Sequence, residues 1–350
     1  MIRLEDTTGN AVASAISAER HRMGAMATGM VLTLIVLTDE SMQADATQAA
    51  SFAAQEHPMR ILVMIPRKGR GAPRLDAEIS VGGDDGPGEV AILRMHGELA
   101  NHPGSVAIPL LLTDTPVVAW WPHDAPAVPV ETSIGSHAQR RITTAMRSAR
   151  QLIALRERVE GYHPGDTDLS WTSITGWRTL LATTLDVPHG RILGAEVSAQ
   201  KSHASGHLLA AWLYSRLHVP SNVISSRGPG ITAVRLITST GDIIVSRPDG
   251  AVAKLSRPGL PPATIALPRR DTGDLLAEEL RRLDADEVYG ETLAAVAHIG
   301  EGRLNLKAPG SDAPAKVTKK PAIKAIAGDK KPAAKPIAAK KKAPTSKAST

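Results

Sequence analysis

Residues 30–66, "MVLTLIVLTDESMQADATQAASFAAQEHPMRILVMIP", decide the fold class. The first ten residues are almost unbroken apolar and β-branched, which is the pattern of a strand covered on both faces. An Ala-rich helix is expected over about 41–56. A second buried strand, "RILVMIP", follows, so the stretch predicts one β-α-β unit and hence a parallel sheet.

On the N-terminal side, "DTTGNAVASAISAERHRM" places Val12, Ile16 and Met23 near one helical face, with Asp6, Thr7 or Thr8 available as the N-cap. The uncharged run "GAMATGMVLTLIVL" (24–37) follows Arg20, His21 and Arg22 and loosely imitates a signal peptide. Glu5, Asp6 and Glu19 upstream and the lack of a small-residue cleavage site argue against one. The run also falls short of the roughly 20 residues that span a bilayer. A cytoplasmic protein with no membrane contact is expected.

On the C-terminal side, "RLDAEISV" alternates Leu75, Ala77, Ile79 and Val81 with polar residues, and "GGDDGPGE" leads into "VAILRMHG". This predicts an antiparallel pair with a Gly/Asp loop. Residues 98–112 read as helical despite Pro103 and Pro109, and "TPVVAWWP" (115–122) reads as the last strand of this half. A mixed α/β domain over 1–163 is the result, its end marked by Gly161 and Pro164-Gly165.

An α+β domain over 164–306 is expected next, with an antiparallel sheet and helices. Ile174, Trp177, Leu181 and Leu185 share one face of a helix over 172–185. Strands "RILGAEVSA", "SNVISS", "ITAVRLIT", "GDIIVSR" and "AVAKLSR" surround the helix "SGHLLAAWLYSRL", with tight turns at Gly241-Asp242 and Asp249-Gly250.

The charge is unevenly distributed. The chain carries 41 Lys and Arg against 35 Asp and Glu, a net of +6. Residues 307–350 hold 12 Lys and two Asp, so this segment carries +10 and residues 1–306 carry −4. The segment has no aromatic residue and recurrent prolines, and a disordered Lys/Ala/Pro-rich tail is expected. Its positive charge suits non-specific contact with polyanions.

Catalytic motifs are scarce. The absence of cysteine removes disulfides, thiol chemistry and Cys-based metal sites. "SRGPGI" (226–231) is glycine-rich but precedes a strand, so it does not open a helix onto a phosphate. His203 and His207 stand four apart without a third ligand or an adjacent glutamate. In "PRRD", Arg269 and Arg270 could grip a phosphate or carboxylate, against the plainer reading of an exposed loop with Asp271 as helix cap. Trp120 and Trp121 must point to opposite faces of a strand. Whether both are buried or one is exposed as a contact anchor stays open at this level.

Taken together in one order, "RLDAEISVGGDDGPGEVAILRMHGELANH", "LLLTDTPVVAWWP", "QRRITTA", "GYHPGDTDLSWTSITGWRTLL", "GPGITAVRL", "LSRPG" and "LAEELRRLDADEVYGETL" resemble the OpcA family, the glucose-6-phosphate dehydrogenase assembly proteins, in its actinobacterial form. The resemblance spans nearly all of residues 1–297 and leaves out the basic tail. It implies a non-catalytic protein, without cofactor, that binds glucose-6-phosphate dehydrogenase and raises its activity or promotes its active oligomer. NADPH supply through the oxidative pentose phosphate pathway would follow. The thiol switch of cyanobacterial relatives does not carry over to a chain without cysteine. The expected docking face combines Trp120 or Trp121 with Arg140, Arg141 and "GDTDLSW", that is Asp166, Asp168 and Trp171. The rival reading is an enzyme or sensor binding a sugar phosphate or nucleotide in the N-terminal cleft. A third is a nucleic-acid-binding protein driven by the tail.

Overall fold

The computed structural model describes residues 1–23, 29–82 and 88–305, the side chain of Met23 excepted. The expectations for the basic tail, for the start of the 24–37 run and for the tip of the Gly/Asp loop lie outside the described residues.

Two mixed sheets organise the chain. The first contains β1 (Ile2–Thr7), β2 (Leu32–Leu37), β3 (Met59–Arg67), β4 (Arg74–Val81), β5 (Glu89–His96), β6 (Val117–Trp120), β7 (Arg140–Thr143) and β8 (Asp166–Asp168), in the spatial order β1-β4-β5-β3-β2-β6-β7-β8. From β5 through β8 every neighbouring pair is parallel, and β4 and β1 extend the sheet antiparallel. The strand order reverses between β2 and β6. In doubly wound sheets such a switch point opens a crevice beyond the carboxyl ends of the strands.

The expected β-α-β unit is present: β2, then α2 (Gln43–Glu56), then β3 in parallel with β2. Ala46, Ala49, Ala50, Ala53 and Ala54 form the buried stripe of α2. Alanine favours the helix and allows another helix to approach closely. One face of the sheet is therefore covered by α2 and by α8 (Thr272–Leu280), with Leu34, Val36, Ile61 and Val63 beneath them. Across the sheet, α1 (Gly9–Met23) contributes Val12 and Ile16 to a core with Ile35, Leu62 and Met64. The alternation of Leu34, Ile35 and Val36 between two cores explains the unbroken apolar run in the sequence.

Several expectations are corrected. The 98–112 segment is a 3₁₀ turn, the short α3 (Pro103–Ala107) and a second 3₁₀ turn, because Pro103 opens a helix at its first position and Pro109 ends it. The strand ending in the tandem tryptophans is not the last of its sheet. Strand β7 pairs with it, and β8 pairs with β7. Strand β8 and α8, both C-terminal to residue 163, also pack on the first sheet.

The second sheet has the order β14 (Leu260–Ala266), β13 (Val252–Arg257), β12 (Ile243–Ser246), β11 (Ile231–Thr238), β9 (Ile192–Gln200), β10 (Ser221–Ser226), β15 (Gly300–Glu301). The meander from β14 to β9 is antiparallel as expected. The sheet as a whole is mixed, because α7 (Ala204–Leu217) carries the chain from β9 to a parallel β10, and β15 also pairs in parallel. Trp177 and Leu181 of α6 (Thr175–Leu185) join α7 and α9 (Glu287–Ala295) in the core over this sheet. Two short helical elements, α4 (Gln151–Glu160) and α5 (Leu169–Thr172), bridge the sheets.

Candidate functional site

The carboxyl ends of β6, β7 and β8 lie side by side next to the switch point. A cleft of about 290 Å³ lies there, lined among others by His123, Thr144, Arg150, Arg158 and Asp168. A second cleft of about 370 Å³ runs between α2 and the start of α8, with Trp120, Pro122, His123 and Arg147 on its walls.

All seven residues expected to dock a partner are gathered at or beneath this region, and all seven are buried. The expected docking residues are therefore not solvent-exposed in the free chain. Trp120 is fully buried and Trp121 is 4% exposed, on opposite faces of the sheet: Trp120 packs in the core under α2 and α8, Trp121 in the core under α1. Trp120 Nε1 donates to Thr144 Oγ1 at 3.2 Å, and that hydroxyl donates to the Trp121 carbonyl at 3.1 Å. One threonine thus fixes both tryptophans.

The charged members bind one another's elements. Arg140 pairs with Glu279 of α8 and donates to the Asp284 carbonyl, and Thr172 Oγ1 donates to Glu279 at 2.6 Å. Arg141 pairs with Asp166 and donates to the carbonyls of Ala138 (2.8 Å) and Pro164 (2.6 Å). Asp168 accepts from Thr143 Oγ1 at 2.6 Å and from the amides of Ala145 and Ser170 at 2.9 and 2.8 Å. A carboxylate so supplied needs no metal to offset its burial. Trp171 Nε1 donates to Asp286, the N-cap of α9, at 2.7 Å, with the Arg178 guanidinium 3.6 Å above its ring. Each bond joins β7, β8 or α5 to a neighbouring element. The network attaches α8 and α9 to the first sheet.

In doubly wound sheets the first parallel strand turns into its helix through glycines whose amides hold a pyrophosphate. Here the turn after β2 reads Thr38-Asp39-Glu40-Ser41-Met42, without glycine. Asp39 Oδ1 accepts from the Ser41 and Met42 amides at 2.8 and 3.1 Å and from Ser41 Oγ. The Ser41 hydroxyl holds the Asp39 carboxyl below the usual carboxylate range, against the smaller opposing effect of burial. A fixed negative charge thus occupies the anion position of this turn.

Exposed groups around the clefts were missed by the sequence reading. Phe52, the single phenylalanine of the chain, is 44% exposed on α2. It separates the cleft beside α8 from a third recess of about 500 Å³ bordered by Glu78, Ile79 and Val90. Its ring lies on Gly273, where a Cβ would come within 2.8 Å of it. The Ala-rich pattern of α2 drew no attention to it. His203 and His207 cap and bond within α7, and among the described residues no cluster of three metal-ligating side chains occurs.

The architecture defines a two-sheet α/β protein whose polar network at the strand ends is engaged internally. A family model described as the N-terminal domain of the glucose-6-phosphate dehydrogenase subunit matches residues 50–160, and one described as the C-terminal domain of the same subunit matches residues 164–293. The chain belongs to the OpcA family of glucose-6-phosphate dehydrogenase assembly proteins. The comparison with curated proteins gives no match. Among solved structures, a 3-ketoreductase from Actinomadura kijaniata in complex with TDP-benzene and NADP is 10% identical, with 77% of this chain and 98% of that chain covered at a TM-score of 0.43. An oxidoreductase from Sinorhizobium meliloti is also 10% identical, covering 76% and 86% at 0.36. Likeness at this level carries no functional argument. Among the described residues, no helix is long and apolar enough to cross a membrane.

Proposed function

We propose that this protein is a non-catalytic cytoplasmic partner of glucose-6-phosphate dehydrogenase that binds the enzyme, favours its active oligomer and so supports NADPH production. The observation that carries this reading is the pair of family matches in series over 50–160 and 164–293, both described as domains of a dehydrogenase subunit. Two features support it. The strand-end carboxylates and arginines are committed to one another, which leaves no free acid–base pair among them. The turn that would receive a dinucleotide's pyrophosphate holds Asp39 instead.

Contact with the dehydrogenase falls to exposed groups, and Phe52 between its two recesses is the aromatic anchor of that surface. Aromatic side chains in recessed surroundings dominate binding energy at protein interfaces. An activator must also bind the active state of its target more tightly than the inactive one. The test is co-elution of the two purified proteins in size-exclusion chromatography, with Phe52→Asp as the variant. Separate elution at micromolar concentration overturns the proposed function; co-elution unaffected by Phe52→Asp overturns only the assigned surface.

A further inference from the structure

Three stretches that each look weak in the sequence meet at one end of the second sheet. They are the "SRGPGI" loop, the "HASGH" helix start and the "PRRD" loop. The meeting point is Gly230: a Cβ there would lie 3.5 Å from His203 Nε2 and 3.6 Å from Arg269 Nη2. The two nitrogens are therefore at most about 7 Å apart, a span that one tetrahedral oxyanion bridges through two hydrogen bonds of ordinary length. Gly250 sits on the other side of Arg269, where a Cβ would come within 3.1 Å of its Nε. Both glycines are left-handed, at φ +62° and +80°, so the guanidinium lies between two loops that only glycine builds without strain.

The groups that converge are donors. His203 Nδ1 accepts from the Gly206 amide at 3.2 Å as it caps α7, which leaves the ring proton on Nε2, facing Gly230. Arg269 is exposed and, among the described residues, has no hydrogen bond or ion pair. Arg247, 6% exposed, donates to the carbonyls of Leu267 (2.8 Å) and Ile231 (3.3 Å), while its Nε has no partner. Its charge rests over the Trp177 ring at 4.9 Å, with no ion-paired carboxylate among the described residues. Asp249, the carboxylate it senses, is exposed and gives Oδ1 to the amides of Ala251 and Val252. Burial first, then the charge of Arg269, holds the Arg247 guanidinium down at about 10. Burial first, then His207, Arg269 and Arg247, holds His203 at about 4, so it is neutral at physiological pH.

Arg269 and the His203 imidazole N–H, from two separate segments, thus converge on Gly230, and the buried charge of Arg247 lies near enough to both to act on His203. The positive end of α7, a helix of 14 residues, adds to the potential. We propose that Arg269, Arg247, His203 and the Gly230 and Gly250 loops form a binding site for a phosphate group. Phosphate fits better than carboxylate, because a dianion offsets the charge of Arg269 together with that of the nearby buried Arg247. The site is separate from the strand-end crevice and does not depend on the dehydrogenase reading.

The test titrates the full chain with inorganic phosphate by calorimetry at constant ionic strength and pH 7.5, for the wild type, Arg269→Ala and Arg269→Lys. Arg269→Ala removes an exposed side chain without a partner and leaves the fold intact. The expected result is saturable binding weakened at least ten-fold in Arg269→Ala and partly restored in Arg269→Lys. Thermal denaturation in phosphate against chloride should show a stabilisation of the wild type that Arg269→Ala loses. Identical titrations of wild type and Arg269→Ala, with phosphate held by the basic tail or not at all, would overturn the site.

Discussion

Breaking the Arg140–Glu279 pair tests whether the residues at the strand ends hold the molecule together or contact a partner. Both side chains are nearly inaccessible, 3% and 7% exposed, and the pair joins β7 to α8 across 139 positions of sequence. Replacing Arg140 with Met leaves a buried carboxylate whose remaining side-chain donor is Thr172 Oγ1. Removing one partner of a buried pair costs about 3–5 kcal/mol, whereas replacing both by apolar groups of similar volume is close to neutral. For a folded part of about 300 residues, that cost lowers the melting temperature by about 5–8 °C. Arg140→Met and Glu279→Leu should each show this loss in thermal and urea denaturation. The double variant should return to within about 1–2 kcal/mol of wild type, the residue reflecting the orphaned Thr172 hydroxyl. Its binding to the dehydrogenase should be unimpaired. Single variants costing under about 1 kcal/mol, or a double variant as unstable as the sum of the singles, would refute the staple. A stable double variant that no longer binds the dehydrogenase would restore the docking role to Arg140.

Further outcomes follow from the same structure. Trp120→Ala empties a fully buried site and loses the bond to Thr144, so urea denaturation should show a loss of about 3–5 kcal/mol. Asp168→Asn turns an amide NH₂ toward a cage of donors and should cost about 2–3 kcal/mol by the same assay. His203 titrates near 4 in the folded state against 6.5 for the free side chain, so the unfolded chain takes up the proton first. Its contribution is complete above pH 6.5 and falls by about 3 kcal/mol as pH drops toward 4. The stability–pH curve of His203→Asn, which retains a capping side chain, should be flatter across that window. Phe52→Asp should leave the melting temperature within about 2 °C of wild type, because the ring is partly exposed, while abolishing activation of the dehydrogenase.

Periodicity made much of the first sheet legible. The run 30–66 gave strand, helix and parallel strand because its side chains meet two cores, and the alternation of Leu75, Ala77, Ile79 and Val81 gave β4 its buried face. The strands that escaped were β7 and β8, whose cores are written in charge: Arg140, Arg141, Asp166 and Asp168 read as surface because their partners lie elsewhere in the chain. Arg141 meets Asp166 25 positions away, and Arg140 meets Glu279 far beyond any local window. The tandem tryptophans illustrate the same limit. Strand geometry required opposite faces, but only the return of α8 and the packing of α1 determine that both faces are covered. The phosphate site was invisible for a similar reason, since each of its three segments is ordinary until Gly230 brings His203 and Arg269 together.

The most direct test of the central claim is a paired measurement on purified glucose-6-phosphate dehydrogenase, its turnover and its oligomer mass, across defined ratios of this protein. The account predicts that activity and the population of the higher-order enzyme rise together and saturate at a fixed stoichiometry, while this chain alone turns over no sugar phosphate. An enzyme whose rate and mass are the same at every ratio, or substrate turnover by this chain in isolation, would contradict it.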